Sequence, residues 1–96
     1  MDNRHIIPKN LQGVFWSFDI NKLDLELDKV YIIHQILVFG NSDCYKWLFS
    51  IYSQKEVMEN FLTSPMKIYP ASIFHYVSNC ILKIDKIDEK KYVVNN

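Results

Sequence analysis

Glycine, arginine and cysteine are scarce in this chain: two, one and two respectively in 96 residues. Each scarcity removes a class of function. Loops that cradle phosphate need several glycines so that the backbone can turn its N–H groups inward, and Gly13 and Gly40 do not supply such a loop. Arg4 is the sole arginine, so bidentate grips on phosphate or guanine are nearly absent. Cys44 and Cys80 lie 36 positions apart in apolar helical patterns. They are expected to be buried thiols, neither a disulfide nor a metal pair. The eleven basic side chains are balanced by eleven carboxylates, giving zero net charge and no global basic excess for nucleic acid. No apolar run approaches the roughly 20 residues that span a bilayer. The polar start Met1–His5 leads into no signal-type apolar stretch, so a cytoplasmic protein is expected.

Constellations that carry chemistry are missing too. His5, His34 and His75 show no helical-turn spacing that would pair them as metal ligands. Asp19, Asp24, Glu26 and Asp28 cluster, but a calcium loop would also need a turn glycine and a terminal glutamate. They read as a helix cap and a solvated face. No nucleophile elbow or metalloprotease motif occurs. No enzyme, cofactor or metal is expected.

What the chain has in plenty is apolar and aromatic material: 49% hydrophobic and 15% aromatic. Fourteen aromatics are more than a small core easily hides. Some of Phe15, Trp16, Phe18, Tyr45, Trp47, Tyr52, Tyr69 and Tyr76 are therefore expected at the surface, where aromatics often serve partners. The competing reading is an aromatic-rich core.

The pattern predicts an all-α domain: a compact bundle of four to five short helices over residues 10–82, after an N-terminal arm (1–9) and before a charged C-terminal tail (83–96). A short turn of helix over 10–16 would be capped by Asn10, with Leu11, Phe15 and Trp16 on one side. The first long helix is predicted over 25–39, capped by Asp24 and ended by Gly40 in a left-handed conformation. Its β-branched run makes a strand the competing reading. Cys44, Trp47, Leu48 and Ile51 form an amphipathic stripe for a second helix, capped by Asn41 or Ser42. Ser53 to Glu56 is a capping box that opens a third, buried through Val57, Met58, Phe61 and Leu62. Thr63-Ser64-Pro65 ends it. Pro70 at the first helical position opens a fourth helix to about residue 82. Tyr92-Val93-Val94 either docks as a short strand or frays.

The tight turn between the second and third helices, with a fourth following, resembles a helix-turn-helix segment. Its candidate nucleic-acid face is Lys67, Ser72, His75, Asn79 and Lys83, with Ser78 also on the outer side. Lys46 and Lys55 would extend any basic stripe.

Several stretches resemble a group of small uncharacterised bacterial proteins: Pro8-Lys9-Asn10-Leu11, Phe15-Trp16, Asp19, Leu23-Asp24, Ile32-Ile33, Ile36-Leu37, Gly40, Trp47-Leu48, Tyr52, and Pro70 to Tyr76. The likeness covers about residues 8–82. It implies an antitoxin-like accessory protein, encoded beside nucleotidyltransferase-type toxins of the abortive-infection class. The chain departs from that group at Gln35, where an arginine is usual, and at Tyr76, where a tryptophan is usual. Basic residues expected around the fourth helix are thinned to Lys67 and Ala71. The function expected is that of a non-enzymatic partner protein, with Phe15, Trp16, Trp47, Tyr52 and Tyr76 as core keystones or interface anchors. The partner is the toxin-like neighbour, with a homodimer also allowed; a DNA-binding regulator is the alternative.

Overall fold

A computed structural model describes residues 11–16, 19–85 and 87–94. The arm over 1–9, the Asn10 cap and Phe18 lie outside the described residues. The chain is an all-α bundle, as its patterning predicts. Four α-helices follow one another: α1 (Lys29–Phe39), α2 (Ser42–Ile51), α3 (Gln54–Thr63) and α4 (Ala71–Tyr76). The last runs on as one π-helical turn, Val77–Ile81, and short 3-10 turns sit at Ile20–Lys22 and Glu89–Lys91.

Helix α1 is the axis of the molecule. Seven consecutive residues from Ile32 to Val38 are buried, so no side of the helix faces water. This is why the apolar spacing of that stretch is ambiguous: a helix covered on every side needs no polar stripe. α2 and α3 pack against it. The N-terminal turn closes another side, with the Phe15 ring 5.8 Å from Tyr31 and Gln35 Nε2 donating to the Val14 carbonyl at 2.8 Å.

The start of α1 differs from the prediction. Asp24 caps a turn that precedes the regular helix: its Oδ1 accepts from the Glu26 and Leu27 N–H groups, while Asp28 Oδ2 accepts from Asp24 N–H. Regular helix begins four residues later, at Lys29. Its end differs too. Gly40 is not left-handed but extended, at φ −81° and ψ 169°. The glycine answers a steric need instead. A Cβ there would lie 2.7 Å from the Ile36 carbonyl oxygen and 2.8 Å from Cys44 Cβ, so only glycine lets α2 start so close to the end of α1.

α2 begins as predicted, with Asn41 accepting from Cys44 N–H at 3.1 Å; at α3 the serine half of the predicted capping box forms, Ser53 Oγ accepting from Glu56 N–H at 3.1 Å, while the Glu56 carboxylate turns to Lys29. Just two residues, Tyr52 and Ser53, join them. The Glu56 carboxylate takes the Lys29 ammonium at 2.6 Å and so ties α3 to the first turn of α1. Pro70 stands one position earlier than predicted, as the N-cap of α4, with Ala71 the first helical residue.

The π turn re-aims the end of α4. Leu82 N–H reaches back five residues to Val77, and Ile84 N–H reaches six, to Ser78. Lys83 closes the turn at φ 53°, a conformation that glycine usually supplies. The wider turn shifts the helix face, so two expectations fail. Ser78 is buried where an outer position was expected, and Cys80 is exposed where a buried thiol was expected. The charged residues after it, Lys83, Asp85, Asp88, Glu89, Lys90 and Lys91, are exposed as expected, and the stretch that follows them docks. Tyr92 inserts into the core, and Val93 forms an isolated parallel bridge with Tyr69, through Tyr69 N–H to Tyr92 O at 2.9 Å and Val94 N–H to Tyr69 O at 3.0 Å. Among the described residues that bridge is the only β pairing.

Candidate interaction surface

A chain with so little glycine must finish its helices by other means. The last carbonyls of a helix have no partner inside it, and buried ones must find a donor elsewhere. Here side chains supply it. Tyr45 Oη donates to the Leu37 carbonyl at the end of α1 at 3.0 Å, and Tyr52 Oη donates at 2.7 Å to the Leu25 carbonyl in the turn that precedes α1. The end of α3 shows the need most clearly. The Phe61 carbonyl would bond the N–H of residue 65 in a continued helix, but Pro65 has none. Tyr92 Oη donates to it at 2.8 Å from 31 residues away.

The Ser64 carbonyl, three residues on, takes His34 Nε2 at 2.7 Å. A carbonyl can only accept, so Nε2 carries the proton. Nδ1, 2.6 Å from Tyr69 Oη, is then the acceptor in the neutral ring, and the tyrosine donates. Burial pushes the His34 pKa below its ordinary value, partly offset by the bond to Ser64. Burial likewise pushes the hydroxyls of Tyr45, Tyr52, Tyr69 and Tyr92 up.

These roles absorb most of the aromatic surplus. Phe15 and Tyr52 are core residues, with Trp47 half-buried against the core. Phe61 stacks on Tyr92 at 4.5 Å and on Phe74 at 6.5 Å, and Tyr69 meets Phe61 and Phe74 edge-on. The aromatics left outside are few. Trp16 is 59% exposed and Phe39 47%, and they meet edge to face at 4.6 Å. Trp16 thus does not share the buried side of Leu11 and Phe15; it turns outward onto the last residue of α1. Tyr76, 48% exposed, stacks on Tyr45 at 6.5 Å. Both pairs gather where α1 gives way to α2, because Tyr45 caps α1 and Phe39 ends it. The reading of Trp16 and Tyr76 as surface residues is therefore available in the structure, and that of Phe15 and Tyr52 as anchors of an interface is not.

The candidate nucleic-acid face is exposed at Lys67, Ser72, His75, Asn79 and Lys83. Acid intrudes on it: Glu89 Oε1 lies 3.5 Å from His75 Nε2. Gln35, where the resemblance leads one to expect arginine, points inward to Val14 and is not on this face. Phe39, the last residue of α1, is not among the aromatics expected at the surface. Sequence reasoning missed the hydroxyl caps as well, since the donors lie 8 to 31 residues from their acceptors. Among the described residues no group of three or more His, Cys, Asp or Glu side chains could hold a metal. Nor is any helix of these residues long and apolar enough to cross a membrane.

Fold and surface together define a small helical bundle closed by tyrosine caps, with the rings of Trp16, Phe39 and Tyr76 left exposed. The chain belongs to a family of unknown function (DUF6922), whose model matches residues 11–61. That span runs from the N-terminal turn to the Phe61 ring in the buried cluster. No curated protein and no solved structure matches the chain.

Proposed function

We propose that this chain is a non-enzymatic protein-binding partner, an antitoxin-like bacterial protein that engages a nucleotidyltransferase-type toxin encoded beside it. The observation that carries the reading is the Trp16–Phe39 pair. Two large rings pack against each other at the surface while the interior is filled by others. Tryptophan and aromatic residues of this kind anchor interfaces because they bury much area with few torsions to freeze. The resemblance to the antitoxin-like group supplies the identity of the partner.

The test is co-expression. The tagged chain should recover the neighbouring nucleotidyltransferase stoichiometrically and relieve its toxicity. Trp16→Ala and Phe39→Ala should weaken capture by tenfold or more, since a central aromatic contributes about 2 kcal/mol or more. Unchanged toxicity on co-expression, with the chain folded, would refute the reading. DNA binding is the second reading, resting on the exposed α4 side chains; Glu89 beside His75 and the zero net charge weigh against it. Salt-sensitive recovery of DNA instead of protein would favour it.

A further inference from the structure

His34 sits where three parts of the chain meet. It belongs to α1, its Nε2 holds the Ser64 carbonyl beyond α3, and its Nδ1 receives the Tyr69 hydroxyl. Tyr69 has a second role through its backbone, which pairs with Tyr92 and Val94. One residue therefore joins the buried histidine by its side chain and the C-terminal segment by its main chain. We propose that His34 is an acid-sensitive latch: protonation releases Tyr69, and with it segment 87–94, from a bundle in which α1 to α3 stay in place.

The geometry gives the reason. Ser64 already fixes one proton on Nε2, so a second must go to Nδ1, the atom that accepts from Tyr69. A protonated Nδ1 can only donate. Tyr69 Oη then becomes the acceptor of that N–H, and its own O–H must turn away toward the rings of Phe61, Phe74 and Tyr92, weaker partners than the imidazole nitrogen it loses. The added charge finds no counter-ion either. From α3 the ring meets Phe61 and the Ser64 carbonyl, and from the 66–70 connection the Tyr69 hydroxyl. Beyond Tyr69 the titratable groups are the hydroxyls of Tyr92 and Tyr45. Among the described residues no carboxylate or ammonium acts on the ring. Outward movement of Tyr69 relieves both faults, by admitting water to His34 and giving the hydroxyl a new partner.

The sign follows from linkage. The closed form resists the proton and the open form takes it at the ordinary histidine pKa, so opening binds a proton and acid favours opening. The latch is fully held above about pH 6.5 and weakens as pH falls below it, by about tenfold per pH unit for one proton. Release uncovers the Phe61 and Phe74 faces that Tyr92 covers, and removes Glu89 from His75.

Amide hydrogen exchange by NMR on the full chain tests this. From about pH 7.5 to pH 5.5 the protection factors of Tyr69 and Val94 should fall about tenfold per unit below pH 6.5, and at every pH they should lie well below those of amides within α1, which exchange only through larger openings. His34→Gln, which offers a donor to Ser64 and an acceptor to Tyr69 without titrating, should abolish the pH dependence. Flat protection at Tyr69 and Val94 in the wild type would overturn the proposal, and so would protection at Tyr69 and Val94 equal to that of α1, which would mean one global opening. If His34→Gln does not fold, the ring-nitrogen shifts of wild-type His34 decide: neutral with the proton on Nε2 at about pH 7.5 is expected. A charged ring, or the proton on Nδ1, would overturn the latch.

Discussion

The two aromatic regions of this molecule are built from similar residues and have opposite fates. Around Phe61 the rings of Tyr69, Phe74 and Tyr92 are buried, and each tyrosine also spends its hydroxyl on a partner. At the end of α1, Trp16 and Phe39 pack on each other and stay in water. The difference lies in what stands behind each ring. The inner cluster has helix ends whose carbonyls need donors, and an amphipathic tyrosine answers that need while filling the core. The outer pair covers no such group. An aromatic that solves a problem inside the fold is structural; one that solves none is available to a partner.

Breaking the inner cluster should cost most. Phe61→Ala removes the ring against which Tyr69, Phe74, Tyr92 and His34 pack, and should lower unfolding free energy by about 3–5 kcal/mol in urea titration. Tyr92→Phe keeps the ring and deletes the hydroxyl. It strands the Phe61 carbonyl, which Pro65 cannot serve, and should cost about 1–3 kcal/mol. A loss well under that range would mean that water reaches the end of α3. Alkali sharpens the contrast from another side. The buried hydroxyls of Tyr52 and Tyr69 ionise far less readily in the folded chain than in the unfolded one. Their stabilising share is intact below about pH 10 and is lost as pH rises past it, so Tm should fall on that side. The smallest effect is expected at the surface. Trp16→Ala should change stability by about 1 kcal/mol or less, even though it removes the proposed anchor. A loss comparable to that of Phe61→Ala would show that the outer pair is core after all.

Much of the bundle was legible because local chemistry decides it. Asn41, Ser53 and the stripe of Cys44 and Leu48 mark their helices whatever surrounds them. What could not be read depends on neighbours distant in the chain. Burial of α1 on all sides erases its periodicity. The role of Gly40 is visible only once Cys44 stands 2.8 Å from where its Cβ would be. The π turn after Tyr76 moved Ser78 inward and Cys80 outward, and no residue type in that stretch announces an extra residue per turn. At the candidate site, counting aromatics rightly raised the question of surface rings. It did not separate Trp16 from Phe15, since only packing against Tyr31 on one side and Phe39 on the other distinguishes them.

Closing helices with donors from far along the chain also bears on how the protein folds. The bonds from His34 to Ser64 and Tyr92 to Phe61 span 30 and 31 residues. Helical bundles ordinarily fold fast because their contacts are local, and these closures lengthen the loops that must form before the ends are sealed. The rate-limiting ensemble should then contain α1 to α3 as helices with open ends. In stopped-flow measurements Tyr92→Phe should leave the refolding limb nearly unchanged and steepen the loss on the unfolding side, the signature of a contact made after the barrier.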